Sequence, residues 1–192
     1  MPVGVLALQG DFAAHAALLR RLGERAREVR RIEELDGLGG LVLPGGESTA
    51  LLRLMGAEPW LESLRAFHAG GGALFGTCAG AILLARAVDP AQPSLGLLDA
   101  AVARNAYGRQ AESFEARLAA PALGDGLPGV FIRAPRFTAL GRDVEVLARL
   151  GDEPVLVRQG RVLAATFHPE IAGDDRVHRL FLAGQPSAVL LH

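Results

Sequence analysis

The run Phe75-Gly76-Thr77-Cys78-Ala79-Gly80 constrains this chain more than any other segment. It joins an apolar stretch to an alanine- and leucine-rich helical pattern, and it holds the only cysteine. A small-Xaa-Cys-Xaa-Gly sequence permits a sharp strand-to-helix turn, because glycine admits dihedrals that other residues avoid. A sulfur on such a turn sits at a helix N-terminus, whose unpaired N–H groups favour the thiolate. The competing reading is a small core hydrophobe, since free cysteines are among the most buried residues.

A second motif alters that balance. Far downstream the apolar run Val162-Leu163-Ala164-Ala165 leads into Thr166-Phe167-His168-Pro169-Glu170. A thiol attacks well only as thiolate and needs a base, and the base needs an orienting carboxylate. Cys78, His168 and Glu170 supply these as a candidate Cys-His-Glu triad. In an α/β-hydrolase the acid precedes the histidine, so the order here argues against that fold. Taken alone, His168-Pro169-Glu170 also reads as a plain strand end, with proline stopping the ladder.

The rest of the chain alternates in a way that suits an elbow. Val3 to Leu8 reads as a strand, Phe12 to Arg27 as a helix, and Gly40 to Leu43 as a second buried strand. Helices follow over Thr49 to Met55 and Pro59 to Ala69, with a strand at Ala73 to Phe75 before Cys78. Strands alternating with helices predict a doubly wound, mostly parallel α/β sheet with helices on both faces. The second half instead shows short strands over Ala100 to Arg104, Val130 to Arg133, Thr138 to Leu140, Val144 to Arg149, Pro154 to Gln159 and Arg161 to Thr166. These predict antiparallel additions. Arg158 to Arg161 reads as a hairpin turn, and Gly173-Asp174-Asp175 as the cap of a last helix through Ala183.

Ligands of parallel sheets bind beyond the carboxyl ends of the strands. Gly45-Gly46, Cys78 and His168 all follow predicted strands, so they converge on one edge. Gln9-Gly10-Asp11 belongs to the same edge, either touching the site or simply turning the chain with Asp11 as a helix cap.

Bulk composition sets the context. A chain of 192 residues, 50% hydrophobic and 21% charged, suits a single domain over residues 1–192. One cysteine excludes an internal disulfide and a cysteine-cluster zinc site, and points to the reducing cytoplasm. The N-terminus lacks a basic leader and meets Asp11 too soon for a signal peptide. The glycine-rich uncharged run from His68 to Ala85 suits a buried turn rather than a membrane span. A net charge of −1 gives no footprint for nucleic acid. The cluster Arg20, Arg21, Arg25, Arg27, Arg30 and Arg31 reads as a solvated helix face followed by a strand edge. His15, His68, His178 and His192 receive no catalytic role.

The Gly-Thr-Cys-Ala-Gly elbow, the Pro44-Gly45-Gly46 loop and His168-Pro169-Glu170 resemble the triad-type (class I) glutamine amidotransferases. Gly4 to Gly10 supports a narrower match, and more specific still are Gly45-Gly46-Glu47-Ser48-Thr49, Arg104-Asn105-Ala106-Tyr107-Gly108-Arg109-Gln110 with Ser113-Phe114-Glu115, and Phe131-Ile132-Arg133-Ala134-Pro135. Together they span nearly the whole chain and are similar to the family of glutaminase subunits of pyridoxal 5′-phosphate synthase. Departures are small: Tyr107 stands where phenylalanine is commoner, and Ile171-Ala172 follow the triad where leucine and threonine are usual.

The resemblance implies a three-layer, flavodoxin-like glutaminase fold that hydrolyses L-glutamine to glutamate and ammonia. It implies an oxyanion hole from the backbone N–H groups of Gly46 and Ala79, and a glutamine site lined by Gly46, Glu47, Ser48, Arg104, Ile132 and Arg133. It implies no cofactor or metal. The implied partner is a β/α-barrel synthase subunit, in a large hetero-oligomer, that uses the ammonia to make pyridoxal 5′-phosphate. The alternatives are a glutaminase serving another pathway such as imidazole glycerol phosphate synthesis, a non-catalytic assembly subunit, and a DJ-1-type hydrolase or chaperone. The Arg104 to Gln110 run with Phe131 to Pro135 favours the vitamin B6 branch, and the intact triad disfavours an assembly role.

Overall fold

The computed structural model describes residues 1–106, 113–124 and 126–185. Strands β1 (Val3–Leu6), β2 (Ala26–Val29), β3 (Gly40–Leu43), β4 (Ala73–Thr77), β10 (Glu145–Leu150), β11 (Glu153–Gln159) and β12 (Val162–Ala165) form the central sheet. Its order is β10-β11-β12-β4-β3-β1-β2. From β12 to β2 every pairing is parallel, whereas β10-β11 and β11-β12 are antiparallel. The class expected from the sequence, a mostly parallel sheet with antiparallel additions from the second half, is the one observed.

Period-two alternation explains why this sheet is buried on both faces. Leu6, Leu41, Leu43, Leu74, Val162 and Ala164 point into one core cluster with α2 (Ser48–Met55), α3 (Trp60–Ala69) and α4 (Ala79–Leu84). Val3, Val5, Val42, Ala73, Phe75, Leu163 and Ala165 point into the other, with α1 (Phe12–Arg21) and α5 (Arg176–Ala183).

Two smaller sheets complete the structure. The first holds β5 (Ala85–Asp89), β6 (Leu98–Ala103) and β9 (Arg136–Leu140). The second is the hairpin of β7 (Ser113–Leu118) and β8 (Leu127–Ile132), whose Phe114 and Phe131 rings stack at 4.7 Å. The sequence reading missed β5 and β7, and β2 of the central sheet as well. In β7 the apolar residues alternate with exposed Ser113, Glu115 and Arg117, and only one face is covered.

Other boundaries also move. The helix expected over Phe12 to Arg27 stops at Arg21, and Ala26–Val29 is a strand instead. Gly23 at φ 87° ends it: its N–H donates to the Arg20 carbonyl and Glu24 N–H to that of Leu19, the two bonds of a Schellman cap. The first strand closes at Leu6 rather than Leu8. Asp11 and Asp175 stand at their helices' N-caps without accepting a side-chain cap bond, and Asp174 takes the Arg176 N–H instead. The hairpin turn after Gln159 is present, with Gly160 at φ 55°. The arginine cluster is solvated, and Arg30 and Arg31 pair with Glu28 and Glu34.

Candidate active site

Strand β4 is the central strand of the seven, and the chain reverses at its carboxyl end through Cys78 into α4. Cys78 holds φ 47° and ψ −102°, a region that costs a non-glycine residue free energy and persists only when its surroundings impose it. Those surroundings are visible. Cys78 N–H donates to the Ala165 carbonyl of β12 at 2.8 Å, and a Cβ at Gly80 would run into the Leu43 backbone of β3. The elbow is thus wedged between the two neighbouring strands, and the glycine is required for that close approach.

His168 and Glu170 follow β12, the strand beside β4. His168 N–H donates to the Val130 carbonyl at 2.8 Å, which pins the segment to β8. Its Nδ1 lies 2.7 Å from Glu170 Oε1, with both side chains nearly inaccessible. Burial by itself lowers the pKa of this imidazole, but the hydrogen bonds and negative charge that the Cys78 sulfur, as thiolate, and the Glu170 carboxylate offer it outweigh burial and raise the pKa to about 10. The side chain therefore favours the imidazolium that a thiolate beside it would stabilise.

The loop after β3 forms the opposite wall. Gly46 sits at φ 141°, and a Cβ there would meet the amide of Gln9. Gln9 Oε1 accepts the Glu47 N–H at 3.2 Å, so the Gln9-Gly10-Asp11 turn after β1 braces this loop. The Glu47 side chain accepts from Thr49 N–H and hydroxyl, which caps α2 and lowers the carboxyl pKa, with Arg104 and Arg133 adding to the effect. Ala79 opens α4, where backbone N–H groups have no intrahelical acceptor.

One cleft of about 270 Å³ gathers these parts. It is lined by Gly46, Glu47, Ser48, Cys78, Arg104, Ile132, Arg133 and His168, which includes every residue the sequence reading assigned to glutamine binding. Asp11, Ile82 and Asn105 line it as well and were not assigned there. Among the described residues, the non-glycine positions with positive φ are Cys78, Asn105 and Arg133, and all three face this cleft. Backbone strain concentrated in one cavity marks a site whose geometry the fold enforces.

Gln92 is the residue sequence reasoning missed here. Its Oε1 accepts both the Ser48 hydroxyl at 3.0 Å and Arg104 Nη1 at 2.6 Å, joining two walls of the cleft. Residues 107 to 110 of the Arg104 to Gln110 run lie outside the described residues. Asp11, His168 and Glu170 place potential ligand atoms within 4.8 Å of one another, but the histidine and glutamate are already engaged with each other. Among the described residues, no helix is long and apolar enough to cross a membrane.

Comparison with known proteins agrees with the fold that carries this cleft. The chain is 59% identical over 183 residues to a pyridoxal 5′-phosphate synthase subunit PdxT of Thermus thermophilus, covering 94% of this chain and 95% of that protein. It is 55% identical over 188 residues to the protein of the same name from Deinococcus radiodurans, covering 95% and 96%. A crystal structure of a glutamine amidotransferase superposes with a TM-score of 0.90 at 56% identity, over 96% of this chain and 98% of that one. The model of the SNO glutamine amidotransferase family matches residues 5–185, and the chain belongs to that family.

Proposed function

We propose that this chain is a glutaminase, residues 1–192 acting as one domain, that hydrolyses L-glutamine to L-glutamate and ammonia for pyridoxal 5′-phosphate synthesis. The observation that carries the reading is a strained cysteine elbow facing a buried His168–Glu170 pair in a cleft of amino-acid size. The high identity to PdxT subunits supports the pathway.

Cys78 Sγ attacks the side-chain amide carbon of glutamine while His168 holds the thiol proton. The tetrahedral oxyanion receives the N–H groups of Gly46 and Ala79, donors worth about 10²- to 10³-fold in rate apiece. His168 then gives its proton to the departing nitrogen as the C–N bond breaks, which releases ammonia and leaves a γ-glutamyl thioester. Water, deprotonated by His168, cleaves the thioester to glutamate and restores the thiol. Glu170 orients the imidazole and stabilises its cationic form.

Glutamine enters as a zwitterion. Arg104 and Arg133 are suited to its α-carboxylate, and Glu47, held ionised, to its α-ammonium, with Ser48 and Ile132 completing the cleft. Free ammonia in water is mostly ammonium and no nucleophile, so the product is useful only if handed directly to an acceptor enzyme. That acceptor is a synthase subunit, a β/α barrel in a large hetero-oligomer, and the pair works in the cytoplasm.

Glutamate release by the purified chain, with and without the synthase subunit and with Cys78→Ala as control, tests the reading. Partner-stimulated release that vanishes in the variant supports it. Release indifferent to that partner would move the chain to another amidotransferase pathway.

A further inference from the structure

Behind Glu170 lies a chain of buried polar groups that this reaction does not use. His15 on α1 is fully buried. Its Nε2 lies 3.4 Å from Glu170 Oε2 and 3.2 Å from Thr77 Oγ1, and its Nδ1 lies 2.9 Å from Nε2 of the equally buried His178 on α5. Phe75 of β4 stands edge-on to both imidazoles, with ring centroids at 6.1 and 5.5 Å. The strand that carries the elbow, the segment that carries the base and acid, and both helices of one face therefore meet at His15.

The proton positions follow from what each neighbour can accept. Burial, then His178 and His168, keep His15 neutral, so it carries one N–H. A carboxylate oxygen can only accept. The proton therefore belongs on Nε2, between Thr77 and Glu170. Nδ1 is then an acceptor and takes the His178 Nε2–H, which leaves His178 Nδ1 bare. That nitrogen has no partner among the described residues, as suits an unprotonated acceptor better than an orphaned N–H.

We propose that His15 is a positioning residue for glutamine hydrolysis: its Nε2–H anchors the Glu170 carboxylate so that Oε1 is presented to His168. Glu170 Oε2 is buried with no hydrogen-bond partner among the described residues, and His15 Nε2, hydrogen-bonded to Thr77, faces it at 3.4 Å, so the N–H dipole there supplies the stabilisation that oxygen otherwise lacks. A neutral imidazole orients the carboxylate while leaving its charge for the His168 imidazolium. A cation there would compete for that charge. His178 sets the His15 tautomer, as outer partners do for ligand histidines in other sites.

The inference rests on the glutaminase reading, and the experiment separates the two. In the complex with the synthase subunit, kcat and KM for glutamine are measured for wild type, His15→Leu, His15→Gln and His15→Asn. Glutamine's amide nitrogen reaches the Nε2 position, and asparagine's reaches only that of Nδ1. The expected result is a kcat lowered about 10- to 100-fold in His15→Leu with KM within about threefold, recovered in His15→Gln but not in His15→Asn. If His15→Leu does not fold, the Gln-over-Asn difference decides alone. Wild-type kcat in folded His15→Leu, or equal rates for the Gln and Asn variants, overturns the proposal. An inactive wild-type complex overturns the glutaminase reading itself.

Discussion

His168 Nδ1 lies 2.7 Å from Glu170 Oε1 across a single intervening proline. The contact commits one ring nitrogen to the carboxylate and leaves Nε2 for the Cys78 thiol. Because both side chains are buried, the pair is insulated from the solvent screening that makes surface ion pairs weak. The short local loop is held in place by distant strands, with the His168 N–H on β8 and the Cys78 N–H on β12.

Glu170→Gln should keep the fold and lose the tautomer control. We expect kcat for glutamine to fall by about 10²- to 10⁴-fold with a small change in KM, by analogy with loss of the acid in other triads. An NMR titration of His168 should show a lower pKa in this variant, since the carboxylate is one of the groups that raise it.

Gly46→Ala tests the oxyanion loop. At φ 141° the new methyl group is strained and also meets Gln9, so the loop must shift. Glutaminase kcat should drop about 10²-fold or more, with thermal stability lowered by a much smaller proportion. A fully active variant would remove Gly46 from the oxyanion hole.

Gln92→Leu should act on binding rather than chemistry. Its Oε1 holds both Ser48 and Arg104, which line the cleft beside the thiol–imidazole pair and take no part in the bond-making proposed for it. KM for glutamine should rise about 10-fold with kcat within about threefold, the signature of lost uniform binding. Arg104→Met should raise KM further.

Stability should peak near pH ~6.5. Burial holds His178 down to about 4, and holds His15 well below its usual value, so below pH ~6.5 the unfolded chain binds more protons than the native one. Stability then falls as pH falls, by at most about 1.4 kcal/mol per pH unit for each of these histidines. His168 has the opposite sign. Its raised pKa contributes stability that is complete below ~6.5 and is lost as pH rises toward about 10. Urea unfolding from about pH 4 to about pH 10 checks this, and His178→Leu should flatten the acid limb only.

Much of the sheet was legible because strands such as Gly40–Leu43 and Val162–Ala165 are continuous apolar runs, whereas β2, with Arg27 and Glu28 inside it, was read in part as helix. The end of α1 was equally legible at Gly23 and was overlooked, because the apolar spacing runs on past it. Strand β7, with apolar residues on one side only, and β5, short, irregular in register and interrupted by Arg86, carry too weak a pattern to separate from loop.

The sequence by itself singled out the proposed nucleophile, base and acid, because an elbow needs glycines at fixed offsets and a triad needs particular side-chain chemistry. The parallel order of elements then placed these groups at one sheet edge. Only the tertiary structure decided the rest. His15 and His178, 163 residues apart, look like ordinary members of amphipathic helices until α1 and α5 close over Phe75. Gln92 gains its place only by reaching Ser48 and Arg104 from a separate loop. Such contacts depend on how elements pack in three dimensions, and no local spacing along the chain encodes that distance.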